Sequence, residues 1–437
     1  MSFFSDKTCH PRLILHYLLG LVRTLFEPSP TSRLLSIKTD STATVATHEY
    51  TFELYNRVAD LPVGWNNLVE EEDLFLQASY LQVLEASPPK GMELRFLLLK
   101  QEGKPVGAVL LQLIDYALQD SLKGLEEAKQ KTWREWLRYK VASVLNFKVL
   151  VVGNLLLSGD HAYYFDPKSL SESEGLKLIA KSLAGINQQL TRQKEKTSGV
   201  LFKDSLSDSL PLKEHGYFHQ LTFQPNMVFT LDSAWTKMED YLDSLQSKYR
   251  VRAKRAFKKG KEISRTEWSL KDIRIHKQEI FDLYLAIADK AEFNIVNLTI
   301  DYIPALKESL QDHFRLFAYH DPTGRFIGFN TLIQNGRAYD AHFLGLEEAS
   351  NRSHQLYLNM LLDMVRHSIE KEDVDEIVFG RTALEIKSSI GAKPEQMYCY
   401  AQHFNPVFNL LIGWLIRKFD PKIEWTPRHP FKEVGSE

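Results

Sequence analysis

Apolar and polar positions alternate with two different periods along this chain, and the changes between them mark its predicted elements. Where every second residue is apolar the pattern predicts a strand, and where apolar residues recur every three or four positions it predicts a helix. The first half contains three strands, one long amphipathic helix and a closing strand. In chain order these are the strands Leu94–Lys100, Pro105–Leu113 and Phe147–Leu157, the helix Ser171–Lys194 and the strand Gly199–Lys203.

The second half repeats that order. A helix is followed by three strands, and Asn335-Gly336 marks a tight hairpin between the last two of them. Another helix, a strand, a short helix through Glu385 and a final strand complete the series. The predicted bounds are Tyr302–Leu310, then Arg315–Tyr319, Phe326–Ile333 and Ala338–Leu346, a helix whose buried face includes Leu358 and Ile369, and the strands Glu376–Phe379 and Gln396–Tyr400.

A shared detail makes the repeat specific. Each half places an arginine near its first strand, a glycine-basic turn after it, and a glycine early in the next strand. These residues are Arg95, Gly103, Lys104 and Gly107 in the first half and Arg315, Gly324, Arg325 and Gly328 in the second. The chain is therefore predicted to contain two similar α+β units. A polar helical insertion is predicted at 117–145.

A strongly basic stretch, Ser247–Lys261, lies between the two units. Apolar residues spaced by three and four place one face of it against the protein, so we predict an amphipathic helix that begins at Asp243 and stops at Gly260. Its cations are Lys248, Arg250, Arg252, Lys254, Arg255, Lys258, Lys259 and Lys261. Two interpretations stay open. The cations are a solvated basic face, or they bind an anion: a phosphorylated cofactor, a lipid-linked sugar phosphate, an RNA or a membrane surface.

The composition makes this basic stretch a local feature. The 437 residues are 44% hydrophobic and 25% charged, with a formal net charge of -2, as expected for a folded protein of two or three domains. The two cysteines, Cys9 and Cys399, are too few for a disulfide framework or a cysteine-based zinc site. The sequence has no Walker loop, dinucleotide fingerprint or zinc spacing, and no metal is predicted.

Two apolar segments, 11–26 and 407–419, raise the question of membrane contact. Both are too short to span a bilayer, which requires about 20 apolar residues. They are predicted either to pack in a core or dimer interface, or to lie in the membrane surface. The predicted location is the cytoplasm, with the inner face of the membrane as the alternative.

The strand Ala338–Leu346 carries the first candidate for chemistry. Side-chain alternation puts Asp340 and His342 on one face of it. An aspartate beside a histidine orients an imidazole that acts as a general base. The alternative is a buried, hydrogen-bonded polar pair with no catalytic role.

A second candidate group follows the strand Glu376–Phe379. Arg381 and Glu385 are four residues apart and are predicted to pair on a short helix. Arg381 and Lys387 are also candidates for binding a carboxylate or phosphate, and Glu385 for a second base. Asn330 and Tyr398 are candidates for substrate binding, for which solvation and packing are the simpler explanations.

The order of these elements resembles the GNAT acyltransferase fold, and two such units joined by a basic helical segment resemble its Fem-type branch. The residues that carry the resemblance are Leu245–Ala256, similar to a Fem-type run with spaced Lys, Arg and Arg-Lys-Ala, and Phe379–Lys387 followed by Gly391. One feature departs from the pattern. The stretch 345–355 contains Arg352 but lacks the glycines with which acyl-CoA-dependent GNAT enzymes hold a pyrophosphate.

The resemblance implies an α+β protein with two tandem GNAT-like domains, each a mixed, mostly antiparallel sheet flanked by helices. The implied division is an N-terminal helix and linker at 1–48, domains at 49–225 and 226–420, and a tail at 421–437. It also implies an acyltransferase that takes an acyl or aminoacyl group from acyl-CoA or aminoacyl-tRNA. The group is moved to an amine or hydroxyl of a cell-envelope or polysaccharide precursor. This acceptor is a small molecule or is linked to a glycan or a lipid. The alternatives are a plain acetyl-CoA-dependent N-acetyltransferase and an inactive GNAT pair that serves as a membrane-surface scaffold.

Overall fold

The structure is a computed structural model. It describes residues 45–46, 50–69, 73–117, 146–205, 217–289, 296–371, 373–419 and 425–432. The apolar segment 11–26 and the predicted insertion, except for its first residue, lie outside these residues.

Nine strands form the first sheet. The central strands β2 to β5 are antiparallel, and β5 pairs in parallel with β7. The order across the sheet is β1-β2-β3-β4-β5-β7-β16-β8, with β6 attached to β4. The strands are β1 Val45–Ala46, β2 Tyr50–Tyr55, β3 Met92–Gln101, β4 Lys104–Ala117, β5 Asn146–Val152, β6 Tyr163–Phe165, β7 Thr197–Ser205, β8 His219–Thr222 and β16 Tyr398–His403.

Seven strands form the second sheet, in the order β10-β11-β12-β13-β14-β9-β15. An antiparallel meander from β10 to β13 is followed by the parallel pair of β13 and β14. The strands are β9 Asn226–Thr230, β10 Ser264–Glu267, β11 Phe314–His320, β12 Phe326–Asn335, β13 Ala338–Leu346, β14 Glu376–Val378 and β15 Lys393–Glu395.

Helices flank both sheets. In the described residues they are α1 Val63–Val69, α2 Ala78–Ala86, α3 Glu172–Arg192, α4 Met238–Ser244, α5 Ser247–Lys259, α6 Leu270–Ile275, α7 Lys277–Ala288, α8 Tyr302–Leu310, α9 Glu348–His354, α10 Leu356–Ile369, α11 Leu384–Ser388 and α12 Pro406–Phe419. The longest, α3, begins with a capping box between Ser171 and Glu174, as its sequence leads one to expect.

The predicted repeat is confirmed. In each half an antiparallel meander leads through helices to a strand that pairs in parallel with the last meander strand: β5, α3 and β7 in the first half, and β13, α9–α10 and β14 in the second. Parallel neighbours require such a crossover. The predicted α+β architecture of two similar units, each a mixed, mostly antiparallel sheet flanked by helices, is thus the fold of this chain. One predicted strand is shorter than expected, because Gly153, with φ +153°, leaves the ladder and ends β5 at Val152.

One strand crosses between the units. The boundary at 225/226 separates β8 of the first sheet from β9, which lies between β14 and β15 of the second sheet. β16, near the end of the chain, returns to the first sheet and lies between β7 and β8. The second unit in sequence therefore contributes a strand to the first sheet.

A hydrophobic core fills the junction between the units. It includes Trp65 and Phe96 of the first unit and Tyr302 and Phe314 of the second, all buried. Helices α2 and α8 meet in this core, and the Ser309 hydroxyl donates a hydrogen bond to a carbonyl of α2 at 2.7 Å. Polar side chains that reach this junction are held by both halves.

Candidate active site

The parallel strands β13 and β14 separate at the junction. Their ladder ends where Asp340 faces Val378, and the chain after Val378 turns to β9, to which the Phe379 amide donates a hydrogen bond. Just past this point β13 has one residue more than β12, a bulge at His342 and Phe343. The split leaves β13 without a partner on its β14 side among the described residues. An open parallel pair of this kind is where a ligand can reach the backbone.

Asp340 is the carboxylate at the split. It is 5% exposed, and no described residue donates a hydrogen bond to it. Burial raises its pKa to about 7, against the opposing effect of the nearby His161. A carboxylate with a pKa near neutral and no hydrogen-bond partner is suited to exchanging protons with a bound group.

His161 approaches Asp340 from the first half. Its Nδ1 lies 3.0 Å from the Asp73 carboxylate, whose other oxygen accepts a 2.9 Å hydrogen bond from the Asn335 side chain on β12. Burial alone lowers the pKa of His161, but the Asp73 charge and hydrogen bond outweigh burial and raise it to about 9. His161 is therefore an imidazolium at neutral pH, bound by Asp73, which in turn is held by Asn335 of the second half.

His342 belongs to a separate, uncharged network. Its Nε2 lies 2.9 Å from the Tyr302 hydroxyl, which lies 3.4 Å from the Tyr80 hydroxyl. Asn154 donates to Tyr80 at 3.1 Å and accepts from Gln112 at 3.3 Å. Burial lowers the pKa of His342 to about 3, so its imidazole is neutral. The network joins α8 of the second half to α2 and β4 of the first.

The predicted pairing of Asp340 with His342 is therefore wrong, although both side chains face the junction. Two residues along a strand place their Cα atoms about 6–7 Å apart, and the bulge directs the His342 imidazole to Tyr302. His161, which the sequence did not single out, is the histidine whose charge acts on Asp340.

The predicted pair of Arg381 and Glu385 is also wrong. The helix α11 begins only at Leu384, so the two residues do not share a helical turn. Arg381 instead forms an ion pair with the fully buried Asp204 of β7. Glu385 is exposed and binds Arg428 at 2.9 Å. Glu385 thus lies apart from the carboxylate at the split.

Lys387 is buried, at 3% exposure, and no charged group among the described residues acts on it. Its Nζ donates to the carbonyl oxygens of Phe379 at 2.6 Å and Gly380 at 3.2 Å. Burial lowers its pKa to about 7. In this structure Lys387 stabilises the turn after β14.

The two candidate substrate-binding residues also lie away from Asp340. Asn330 is fully buried and donates to the Tyr319 hydroxyl at 2.8 Å, within the core beneath α10. It lies on a central strand, so the expected solvation at a sheet edge does not apply. Tyr398 lies on β16, in the first sheet, packed against the core of that sheet.

The basic stretch forms α5, a helix that begins later than predicted. Asp243 and Ser244 end the preceding helix α4, because Leu245 is extended and the Gln246 amide donates to the carbonyl of Pro430 at 2.8 Å. The helix ends at Gly260, as predicted. Its buried residues include two alanines, and its cations face outward.

Most of these cations have no acidic partner among the described residues. Arg250 is the exception, with Asp243 at 3.5 Å. The exposed, unpaired cations are Lys248, Arg252, Lys254, Arg255, Lys258, Lys259 and Lys261.

The end of α5 packs on the start of α10. The Asn359 side chain donates to the carbonyls of Ala256 on α5, at 3.0 Å, and of His354, at 2.9 Å. Unpaired cations near the end of α5 thus lie beside the N-terminus of a 14-residue helix, which carries partial positive charge. Most of the stretch 345–355 forms α9 and not an open glycine loop.

Five junction residues were missed from the sequence: Asp73, Tyr80, Asp160, His161 and Asp204. Each comes from the first half, and contacts such as Asp73 with Asn335 and Asp204 with Arg381 form only through the fold. A local signal was present, because Ser158-Gly159-Asp160-His161 closely follows a buried strand, where the chain leaves the sheet.

No group of His, Cys, Asp or Glu in the described residues is arranged to hold a metal ion. No helix in the same part of the chain has the length and apolar character needed to cross a bilayer.

No protein-family model matches the chain, and no curated protein sequence matches it. Solved structures do. FemX shows 11% identity and a TM-score of 0.48, over 80% of this chain and 97% of FemX. The C-terminal domain of a putative lysylphosphatidylglycerol synthetase from Agrobacterium fabrum shows 9% identity and a TM-score of 0.46, over 81% and 95%. A tandem GNAT protein from the clavulanic acid biosynthesis pathway shows 12% identity and a TM-score of 0.43, over 75% and 88%. Sequence identities this low carry no information on the acyl donor or the acceptor of this chain.

Proposed function

We propose that this protein is an acyltransferase, with Asp340 as the general base at the junction. It moves an acyl or aminoacyl group to an amine or hydroxyl of a cell-envelope or polysaccharide precursor. The observation that supports this most is the split of β13 and β14 at Asp340. It joins a strand edge to a buried carboxylate, and within the part of the chain that the structure describes neither has a hydrogen-bond partner there.

The reaction needs a proton acceptor at one defined atom. The acceptor nitrogen or oxygen attacks the acyl carbonyl carbon and loses its proton to the Asp340 carboxylate. The carbon–sulfur bond of a CoA donor, or the ester bond of an aminoacyl-tRNA, then breaks. The proton passes to the departing thiolate or alkoxide, so the carboxylate is regenerated.

The cationic surface of α5 is proposed to hold the donor. Both donors carry phosphates, and unpaired cations beside the start of α10 attract them. Because 345–355 is largely helical and has no glycine loop, α5 takes the place of that loop in this proposal. Acyl-CoA and aminoacyl-tRNA are the two donors considered, and the plain N-acetyltransferase differs only in using acetyl-CoA.

Native mass spectrometry tests this role of α5. The chain is offered acetyl-CoA, longer acyl-CoAs and charged tRNA in separate runs. We expect saturable binding of one donor, lost in the double variant Arg252→Glu with Arg255→Glu. The control reverses two exposed lysines of the first half, Lys181→Glu with Lys196→Glu, and should bind as the wild type does. Equal binding by both variants contradicts a donor site on α5, and no binding by the wild type contradicts the transferase.

A second candidate is contact with a membrane surface, through 11–26 and 407–419. It is favoured by one side of α12, where Val407 and Leu410 are each 71% exposed and Trp414 is 48% exposed. Apolar residues at this spacing share a helix face and suit the interface of a bilayer. Co-sedimentation with anionic liposomes, lost in Val407→Ser with Leu410→Ser and in a chain lacking 1–26, supports this. A protein that sediments with liposomes but turns over no donor would be the scaffold.

A further inference from the structure

The first half contributes a charged pair to the site that the second half carries. Asp73 precedes α2, and Asn335, which binds it, ends β12 of the second sheet. The Asn335 side-chain oxygen also accepts a hydrogen bond from the Leu74 amide at 2.9 Å. Asn335 therefore binds both the Asp73 carboxylate and the backbone of the next residue. The Phe75 amide donates to Asp73 at 3.0 Å. The Asp73 carboxylate is thus fixed by two donors, the Asn335 side chain and the Phe75 amide, before it meets His161.

These bonds fix the ring of His161 as well. Its Nδ1 is bound by Asp73, and its ring packs edge-on against Phe75 at 4.7 Å between centroids. Gly159 lies against its Nε2, where a side chain carbon would come within 2.8 Å. A glycine is needed there because any larger residue would displace the imidazole.

Among the described residues, His161 is the one cation that acts favourably on the Asp340 carboxylate. The groups whose charges act on Asp340 are His161, Asp73 and Glu376, and of these only His161 is a cation. His161 in turn faces Asp73, Asp340 and Asp160. Burial and a neighbouring glutamate raise the pKa of Asp160 to about 7, and the Tyr163 hydroxyl donates to it at 2.9 Å. Without His161, Asp340 would be a buried carboxylate among other carboxylates.

We propose that His161, held by Asp73 and Asn335, is a positioning residue for Asp340: its imidazolium keeps the carboxylate ionised for work on the acceptor. The first half is then part of the site. This inference rests on the proposed function, because it assigns Asp340 the role of base. It makes the active site a product of both halves, with the base on β13 and its charge partner on the loop after β5.

The coupling across the junction is measurable without any substrate. Histidine is labelled with carbon-13 in the full chain, and the imidazole signal of His161, assigned by its loss in His161→Gln, is followed as pH is changed. We expect it to titrate above the ordinary range for histidine, about 6.5. Asp73→Asn should lower that midpoint most, and Asp340→Asn should lower it less. The exposed control Asp312→Asn should leave it unchanged. A midpoint that Asp340→Asn does not move overturns the proposal.

The role of the coupling is read from transfer activity as a function of pH. Removing the His161 cation raises the pKa of Asp340. In His161→Gln the pH at which the transfer rate rises should therefore be higher than in the wild type. Above that pH the rate of the variant should return to the wild-type value. The control His276→Gln, on the surface, should keep the wild-type profile. A uniform loss at every pH, or an unmoved limb, overturns the positioning role. The titration could show that His161 and Asp340 are coupled in a protein that transfers no acyl group. That result would overturn the proposed function, and with it any role of His161 in catalysis.

Discussion

Asp204 is a buried carboxylate that joins the two halves of the chain. It is fully buried and forms ion pairs with Lys203 and with Arg381, while the Gly159 amide donates to it at 3.2 Å. Its backbone has φ +63°, a conformation that aspartate adopts more readily than most residues. A carboxylate here neutralises two cations, one from each half of the chain.

Asp204→Asn should therefore destabilise the protein strongly. The amide leaves two cations in the junction without an anion, a change that costs about 3–5 kcal/mol. The matched control is Asp375→Asn, which breaks an aspartate–arginine pair with Arg337 on the surface and should give no measurable loss. Urea unfolding at neutral pH gives both free energies of unfolding. Equal losses in the free energy of unfolding for the two substitutions would show that the buried ion pairs stabilise the protein no more than the surface pair does.

How much of the site the sequence reveals depends on whether partners are local. Asp340 was found because alternation along one strand is a local pattern. Its partner His161 was not, because 179 positions separate two residues that meet only when the halves pack. For the same reason Arg381 was predicted to pair with its neighbour Glu385, while its partner lies on β7 of the other half.

At the scale of elements, the bulge in β13 shapes the site. The Thr331 hydroxyl fills it, donating to the carbonyl of Phe343 at 2.8 Å and accepting from the amide of the same residue at 2.9 Å. These two bonds replace the ladder bonds lost at the extra residue. The bulge therefore keeps a fixed shape, and it turns His342 towards Tyr302.

Thr331→Val should loosen this bulge. Valine has the shape of threonine but cannot bond the amide and carbonyl of Phe343, and leaving them unpaired costs about 1–3 kcal/mol. Hydrogen exchange at the Phe343 amide should become faster, and the thermal midpoint should fall. The control Thr266→Val, on the exposed edge strand β10, should change neither. Unchanged exchange at Phe343 would mean that the hydroxyl does not hold the bulge.

The elements themselves were largely predictable, and the exceptions have physical reasons. The periodic segments β11, β12 and β13 lie where the pattern put them, with ends shifted by a few residues. The basic helix was predicted as one element but is preceded by a separate helix, α4. Leu245 between them is bound to Phe431 near the end of the chain, a contact no local pattern can signal.

At the scale of the whole molecule, one strand makes the first half depend on the second. Without β16, the first sheet loses the strand between β7 and β8, whereas the strands β9 to β15 of the second sheet all lie within the second half. The sequence repeat predicted two units, and the return of β16 to the first sheet could not be read from it. The first half therefore cannot complete its own sheet.

Residues 49–225, expressed alone, should therefore not fold. This fragment would expose the backbone groups of β7 and β8 that β16 satisfies, together with its side of the shared core. Coexpressed with 226–437, it should assemble into a complex that unfolds in a single calorimetric transition, as the intact chain should. A cooperative transition from 49–225 alone would contradict this dependence on β16.

We propose above all that the junction transfers acyl groups through Asp340. The most direct test is a single-turnover experiment in which hydroxylamine, a small nucleophile, replaces the unknown acceptor. The rate of acyl transfer from the bound donor to hydroxylamine is measured over a range of pH. Because the carboxylate must be ionised, the wild-type rate should rise with pH through about 7, the pKa of Asp340. Asp340→Asn should bind the donor normally yet transfer at least about 100-fold more slowly. A variant that transfers at the wild-type rate, with the wild-type pH profile, would contradict the account.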